Sequence, residues 1–150
     1  MTFAELVGPD YPWELLLDAD PSVDRIRSYL ASSVCIGMFD GDLIVGVIVL
    51  SSPDLASVEI MNIAIAPAVR GRGYGKQLIE ECIRRARAQG VTQIKVGTGN
   101  SSLDQLAFYQ KCGFRITGVD CDFFLDNYPE SIEENGILCR DLVRLTMELD

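Results

Sequence analysis

The sequence predicts an α/β fold: a mixed central sheet of about six to seven strands, antiparallel in its first half and parallel in the middle, flanked by about four helices. Three observations lead there. Apolar, β-branched runs of strand length alternate with stripes of helical period along one uninterrupted stretch, residues 1–150. Their order is helices, hairpin, strand, helix, strand, helix, strand, strand. Crossover helices occur only in the second half, and only a crossover lets consecutive strands run parallel. No repeat, low-complexity tract or linker interrupts the pattern, so a single domain is expected.

Tyr11 to Asp18 and Pro21 to Leu30 have the spacing of two short helices, the second entered by Pro21 after Asp20. Val34 to Phe39 and Leu43 to Leu50 are strand-like and are joined by Asp40-Gly41, a dipeptide suited to the positive φ angles of a tight hairpin. Ser57 to Ile65 is the next strand, with Glu59, Met61, Ile63 and Ile65 on one face, and Pro67 stops it. From Tyr74 to Gln89 the residues Leu78, Ile79, Cys82, Ile83 and Ala86 form a helical stripe. Glu80 to Arg84 and Glu81 to Arg85 are four apart on the other face, and Gly90 closes the helix. Gln93 to Val96 is a short strand running into Gly97-Thr98-Gly99-Asn100. Ser102 and Gln105 have capping-box spacing for a helix ending at Gly113, and Phe114 to Cys121 and Leu138 to Leu149 are two final strands.

A net charge of −9 argues against nucleic acid as a partner, because phosphate neutralisation needs a basic face. It leans instead towards a cationic or neutral substrate. The five cysteines are scattered and without metal-ligand spacing, and there is no histidine, so buried thiols are expected rather than a disulfide framework or a metal site. Met1 to Asp10 lacks a basic segment followed by an apolar core, and no apolar run is long enough to span a bilayer; a soluble, cytoplasmic protein without membrane contact is expected.

The functional signal is Arg70-Gly71-Arg72-Gly73-Tyr74-Gly75, between the apolar strand and the following helix. Three glycines allow backbone N–H groups to converge, and the helix adds the positive end of its dipole, which together suit a pyrophosphate. Two nucleotide motifs fail here. A P-loop needs Ser or Thr after Gly75-Lys76, where Gln77 stands, and a glycine where Arg70 stands. A dinucleotide fingerprint needs a third glycine where Lys76 stands. Arg70, Arg72 and Lys76 also place three of the thirteen basic residues within seven positions of an acidic chain.

Arg70, Gly73 and Gly75, preceded by Ile63-Ala64-Ile65-Ala66-Pro67, match the Gln/Arg-x-x-Gly-x-Gly/Ala loop of a known superfamily. Phe108-Tyr109-Gln110-Lys111-Cys112-Gly113-Phe114 matches a second motif, a helix ending in Phe/Leu-Tyr-x-Lys-x-Gly-Phe. In both motifs and their order the chain resembles the GNAT superfamily of acetyl-CoA-dependent N-acetyltransferases. The resemblance implies acetyl-CoA as cosubstrate, no metal, a splayed central strand pair, an amine acceptor, and in many members a dimer. It places the pyrophosphate on the N–H groups of Gly71, Arg72, Gly73, Tyr74, Gly75 and Lys76, with Arg70 at the head of the loop. The backbones of Ile63 and Ile65 would contact the pantetheine arm, and the Ile65 N–H would lie near the thioester oxygen. Tyr109 would return a proton to the departing thiolate. Asn100 would bond the pantetheine or shape its turn; Ser102 stands where many members have asparagine.

Without histidine, a general base is a carboxylate, a water chain or absent. Glu59, eleven residues before Arg70, matches the position of a catalytic glutamate in some protein-acetylating members, and Val58 and Ile60 would desolvate it. Its alternatives are substrate ligand and structural acid. Asp120, Asp122, Asp126, Glu130, Glu133 and Glu134, interleaved with Phe123, Phe124 and Tyr128, form either an acidic and aromatic lid for an ammonium group or a solvated loop with its rings in the core. Residues 136–141 resemble a bacterial subgroup. The expected activity is acetyl transfer to a primary amine, a small cationic one favoured. A protein lysine or N-terminal acetyltransferase and a non-catalytic acetyl-CoA sensor are the alternatives.

Overall fold

The computed structural model describes residues 1–150, which form two compact units, Met1–Thr92 and Gln93–Asp150. The first contains β1 (Thr2–Leu6), α1 (Trp13–Ala19), α2 (Val23–Leu30), β2 (Val34–Asp40), β3 (Leu43–Ser51), β4 (Ser57–Ile65) and α3 (Tyr74–Ala88). Each of its strands pairs antiparallel with the next, from β1 to β4. Strand β1 is an addition to the sequence reading. Its alternation is weak, with Phe3 and Leu6, three residues apart, as its half-buried apolar side chains, and pairing with β2 supplies what the pattern lacks.

Both N-terminal helices start later than the sequence suggests. The N-cap of α2 is Ser22, whose Oγ accepts from the Arg25 N–H at 3.2 Å, so Pro21 lies outside the helix. In the β2–β3 hairpin Asp40 pairs with Leu43, which leaves Gly41-Asp42 as the two-residue turn, with Gly41 at φ 61°. Strand β4 has the expected bounds, and Val58, Ile60, Asn62 and Ala64 are buried while Glu59, Met61, Ile63 and Ile65 are half-exposed. Met61 is an extra residue opposite β3, since Asn62 pairs with Val49 and Ile60 with Leu50.

Leu15 and Leu16 of α1, Ile26 and Leu30 of α2, Val47 and Val49 of β3 and Ala64 of β4 share one core cluster. A buried polar chain crosses it: the Asn62 amide donates to the Leu16 carbonyl and the Tyr29 hydroxyl, both at 3.0 Å, and Tyr29 donates to Asp20 at 3.2 Å. These bonds use the Asn62 amide donors and the Tyr29 hydroxyl and fix α1 and α2 on β4, while the buried Asn62 Oδ1 is left without a partner. On α3, Glu81 rather than Glu80 takes Arg84, and it takes Arg85 as well. Gly90 ends the helix at φ 75°, with its N–H bonded to the Arg87 carbonyl and that of Val91 to the Ala86 carbonyl.

The second unit holds β5 (Gln93–Gly99), α4 (Leu103–Lys111), β6 (Arg115–Asp120), α5 (Phe123–Asn127), β7 (Ile132–Glu134), β8 (Ile137–Cys139) and β9 (Leu142–Glu148). Strand β9 lies between β5 and β6 and is antiparallel to both; β7 and β8 form a separate hairpin. Strand β5 continues through Gly97-Thr98-Gly99, which the sequence reads as a loop. The reason is close approach: a Cβ on Gly97 would lie 2.9 Å from Leu142, and one on Gly99 2.5 Å from the Cys139 sulfur. The expected capping box does not form: the Ser102 side chain accepts from no N–H of the helix, and its hydroxyl donates to Glu134 at 2.9 Å. The expected last strand is broken at Arg140-Asp141 into β8 and β9. Cys35, Cys82 and Cys139 are buried, but Cys112 is half-exposed and Cys121 exposed. No helix is long and apolar enough to cross a membrane.

Candidate active site

The glycine-rich loop lies between β4 and α3. After β4 a turn of 3₁₀ helix, Pro67–Val69, reverses the chain, and Gly71 and Gly73 then adopt φ angles of 78° and 80°. Both are left-handed conformations that a side chain makes strained, although a Cβ at either would meet no atom within 4 Å. The glycines serve backbone direction and leave open space in front of the loop. The N–H groups of Gly71, Arg72 and Gly73 have no acceptor in the protein, and the first bond of α3 is from Gln77 to the Gly73 carbonyl at 3.2 Å. The N–H groups of Tyr74, Gly75 and Lys76 therefore belong to the uncapped first turn. Six consecutive donors at the positive end of a 15-residue helix make an anion cradle.

The three cations divide into two kinds. Arg70 turns back: its Nε donates to the Ile65 carbonyl at 3.1 Å and its guanidinium forms an ion pair with Asp18 of α1. Arg72 and Lys76 are exposed and have no ion-pair partner, so they are the side chains left to face an anion.

On β4, the Ala66 N–H bonds the Val45 carbonyl at 2.8 Å, so the backbone groups of Ile63 and Ile65 point away from β3. Because Met61 is an extra residue, the alternation changes phase there: Glu59, level with Ser51, is on the face of Met61, Asn62 and Ala64, opposite the Ile63 and Ile65 side chains. Val58 and Ile60 point to the opposite face, where both are buried, so they do not enclose the Glu59 carboxylate as the sequence reading supposed.

In the second unit, the Asn100 side chain is occupied. Its Oδ1 accepts from the N–H groups of Arg140 at 2.9 Å and Asp141 at 3.0 Å, and its amide donates to the Leu138 carbonyl at 3.1 Å. Of the two roles open to it, shaping the chain is the one its bonds perform. Tyr109 is buried in α4, with its ring 5.6 Å from that of Phe114, edge-on, and 5.3 Å from that of Phe108. Burial, and secondarily Cys112, push its phenol well above the ordinary tyrosine range, so the hydroxyl is held protonated. In the acidic segment Asp120 pairs with Arg144, Asp122 with Arg140, and Glu134 accepts from Ser102. Asp126, Glu130 and Glu133 are exposed. The Phe124 and Tyr128 rings stack at 5.4 Å and, with Glu130 and Ile132, line a cavity of about 120 Å³.

The model of the acetyltransferase (GNAT) family matches residues 2–114, three-quarters of the chain. The chain belongs to the GNAT family. It is 49% identical over 140 residues to an uncharacterised N-acetyltransferase of Bacillus subtilis, YvbK, covering 93% of this chain and 90% of that relative. A GNAT acetyltransferase from Elizabethkingia anophelis with acetyl-CoA bound superposes with a TM-score of 0.95 at 44% identity, covering 99% of this chain and 97% of the other. A Bacillus subtilis acetyltransferase in complex with CoA gives 0.91 at 45% identity, covering 99% and 98%. The mixed α/β GNAT fold and the use of acetyl-CoA as cosubstrate follow. The residues of the cradle fit that group: a pyrophosphate needs unpaired donors and room, and the loop has N–H groups without acceptors and open space at Gly71 and Gly73.

What the sequence reading missed was the partner of Arg70. Asp18 lies 52 residues away and belongs to no motif, so nothing local in the sequence announces it.

Proposed function

We propose that this GNAT enzyme transfers the acetyl group of acetyl-CoA directly to a primary amine, with a small cationic amine favoured, and that residues 1–150 act as one N-acetyltransferase domain. The observation that carries the reading is the run of unpartnered N–H groups at Gly71–Gly73 leading into the first turn of α3. Acetyl-CoA supplies the activated acyl group and a thiol leaving group. In this reading the N–H groups of Gly71 to Lys76 hold the pyrophosphate, and Arg72 and Lys76 offset its charge.

Ile63 and Ile65 offer N–H donors along β4. That of Ile63 is two residues, roughly 7 Å, further from the loop and nearer Glu59. It is therefore the better donor to a thioester oxygen, and the Ile65 N–H is left for the pantetheine arm. Glu59, four residues before Ile63 and roughly 13 Å away along an extended strand, takes a proton from the acceptor ammonium through intervening water. Tyr109, kept protonated by burial, gives its proton to the departing thiolate.

The acceptor class rests on the Phe124–Tyr128 stack with Glu130 beside it, a cavity whose size and chemistry suit a compact ammonium group through cation–π and charge attraction. The test is thiol release from acetyl-CoA with pooled amines, followed by mass spectrometry of the product. An acetylated small amine is expected. Acetylation of peptides alone would move the assignment to a protein lysine or N-terminal acetyltransferase, and acetyl-CoA binding without thiol release to a non-catalytic sensor.

A further inference from the structure

We propose that Asp18 is a positioning residue for the cofactor loop, acting through Arg70, and that Arg70 is a clip rather than an anion ligand. The inference rests on the reading of Gly71 to Lys76 as the pyrophosphate site. The backbone of the preceding turn is pinned by three bonds: Ala66 N–H to Val45, Val69 N–H to Ala66 and Arg70 N–H to Pro67. Beyond Arg70 the backbone makes no further bond until Gln77 N–H meets the Gly73 carbonyl. Gly71 and Gly73 thus hang between two anchors, and glycines lose more conformational freedom than other residues when ordered.

The forward anchor is the Arg70 side chain. Its planar guanidinium reaches back over the 3₁₀ turn to the Ile65 carbonyl, and the Asp18 carboxylate holds it there. The pair joins α1 to the end of β4 and the start of the loop, and it neutralises the one loop cation that faces the protein. Arg70 and Asp18 have side-chain exposures of 52% and 45%, so the pair contributes little to global stability. What it can do is select the loop conformation in which the glycine N–H groups converge.

The experiment compares wild type, Asp18→Asn, Asp18→Glu, Arg70→Ala and the double variant Asp18→Asn/Arg70→Ala in the full chain, by calorimetric titration with CoA and by amide exchange of the ligand-free protein. Asp18→Asn should weaken CoA about fivefold or more, the double variant should be no weaker than Arg70→Ala alone, and Asp18→Glu should recover affinity. Amide exchange at Val69 and Arg70, whose N–H groups bond the Ala66 and Pro67 carbonyls, should quicken in Asp18→Asn with the melting temperature nearly unchanged. Unchanged exchange there, or CoA binding as tight as or tighter than wild type in Asp18→Asn, would overturn the proposal, because freeing a direct anion ligand strengthens binding. A Gly73→Glu variant that kept its CoA affinity would remove the loop as the pyrophosphate site, while the exchange measurement would still decide whether Asp18 orders it.

Discussion

Gly73 shows how a single backbone angle can carry a function. At φ 80° with open space around a Cβ, alanine there meets no clash, and its cost is the left-handed conformation itself, roughly 1–2 kcal/mol. We expect Gly73→Ala to weaken CoA about tenfold if that strain is relieved by displacing the donors, as isothermal titration would register. Tyr109→Phe should lower kcat while leaving the KM for acetyl-CoA nearly unchanged; an unaltered kcat across the pH range would remove the phenol from the reaction. The loop glycines, Tyr109 and Glu59 stand out as candidates in the sequence because each sits in a local motif or at a fixed offset from one. The commitment of Arg70 to Asp18 and Ile65 was not legible there, since tertiary folding alone brings α1 to the loop. The alternation expected to put Glu59, Met61, Ile63 and Ile65 on one face is broken by the extra residue at Met61, and Val58 and Ile60, as neighbours of Glu59 in a strand, point away from it.

At the scale of elements, the strand-loop-helix from β4 to α3 was legible almost residue by residue, because apolar alternation, Pro67, the glycines and Gly90 punctuate it. The second unit was read less well. Gly97 and Gly99 resemble loop residues by composition, but they are strand residues wherever Leu142 and Cys139 come too close for a side chain. Asn135-Gly136, with φ angles of 56° and 72°, is a strong hairpin signal that went unused within the acidic run, and it forms the β7–β8 turn. Asn100 is the clasp that breaks the last strand into β8 and β9, since its side chain makes three hydrogen bonds to the backbone of Leu138, Arg140 and Asp141. Asn100→Ala should cost about 1–3 kcal/mol, leaving the Arg140 and Asp141 N–H groups without their acceptor. Amide exchange quickened at Arg140 and Asp141 would show it; protection unchanged there would return Asn100 to the list of cofactor ligands.

At the scale of the whole molecule, the chain belongs to the GNAT family, while the proposed acceptor class rests on the acidic segment. The charge of −9 is spread so that several acids of that segment are tied to Arg140, Arg144 and Ser102, leaving Asp126, Glu130 and Glu133 outward. The buried thiols give the fold a pH signature. Burial raises Cys35 from 9.0 to about 11 and Cys82 from 9.0 to about 12. Above pH 9 the unfolded chain loses these protons while the folded chain keeps them, so stability is full below pH 9 and falls as pH rises towards 11 and 12, each unit of separation costing about 1.4 kcal/mol. Melting temperatures should drop across that window and drop less steeply in Cys82→Ala; parallel slopes would show that other groups dominate. The central claim remains that the donors of Gly71 to Lys76 hold the cofactor pyrophosphate, and calorimetric titration of Gly73→Glu with CoA tests it most directly. A folded variant with no detectable CoA binding is the expected result, and near-normal affinity would contradict the assignment.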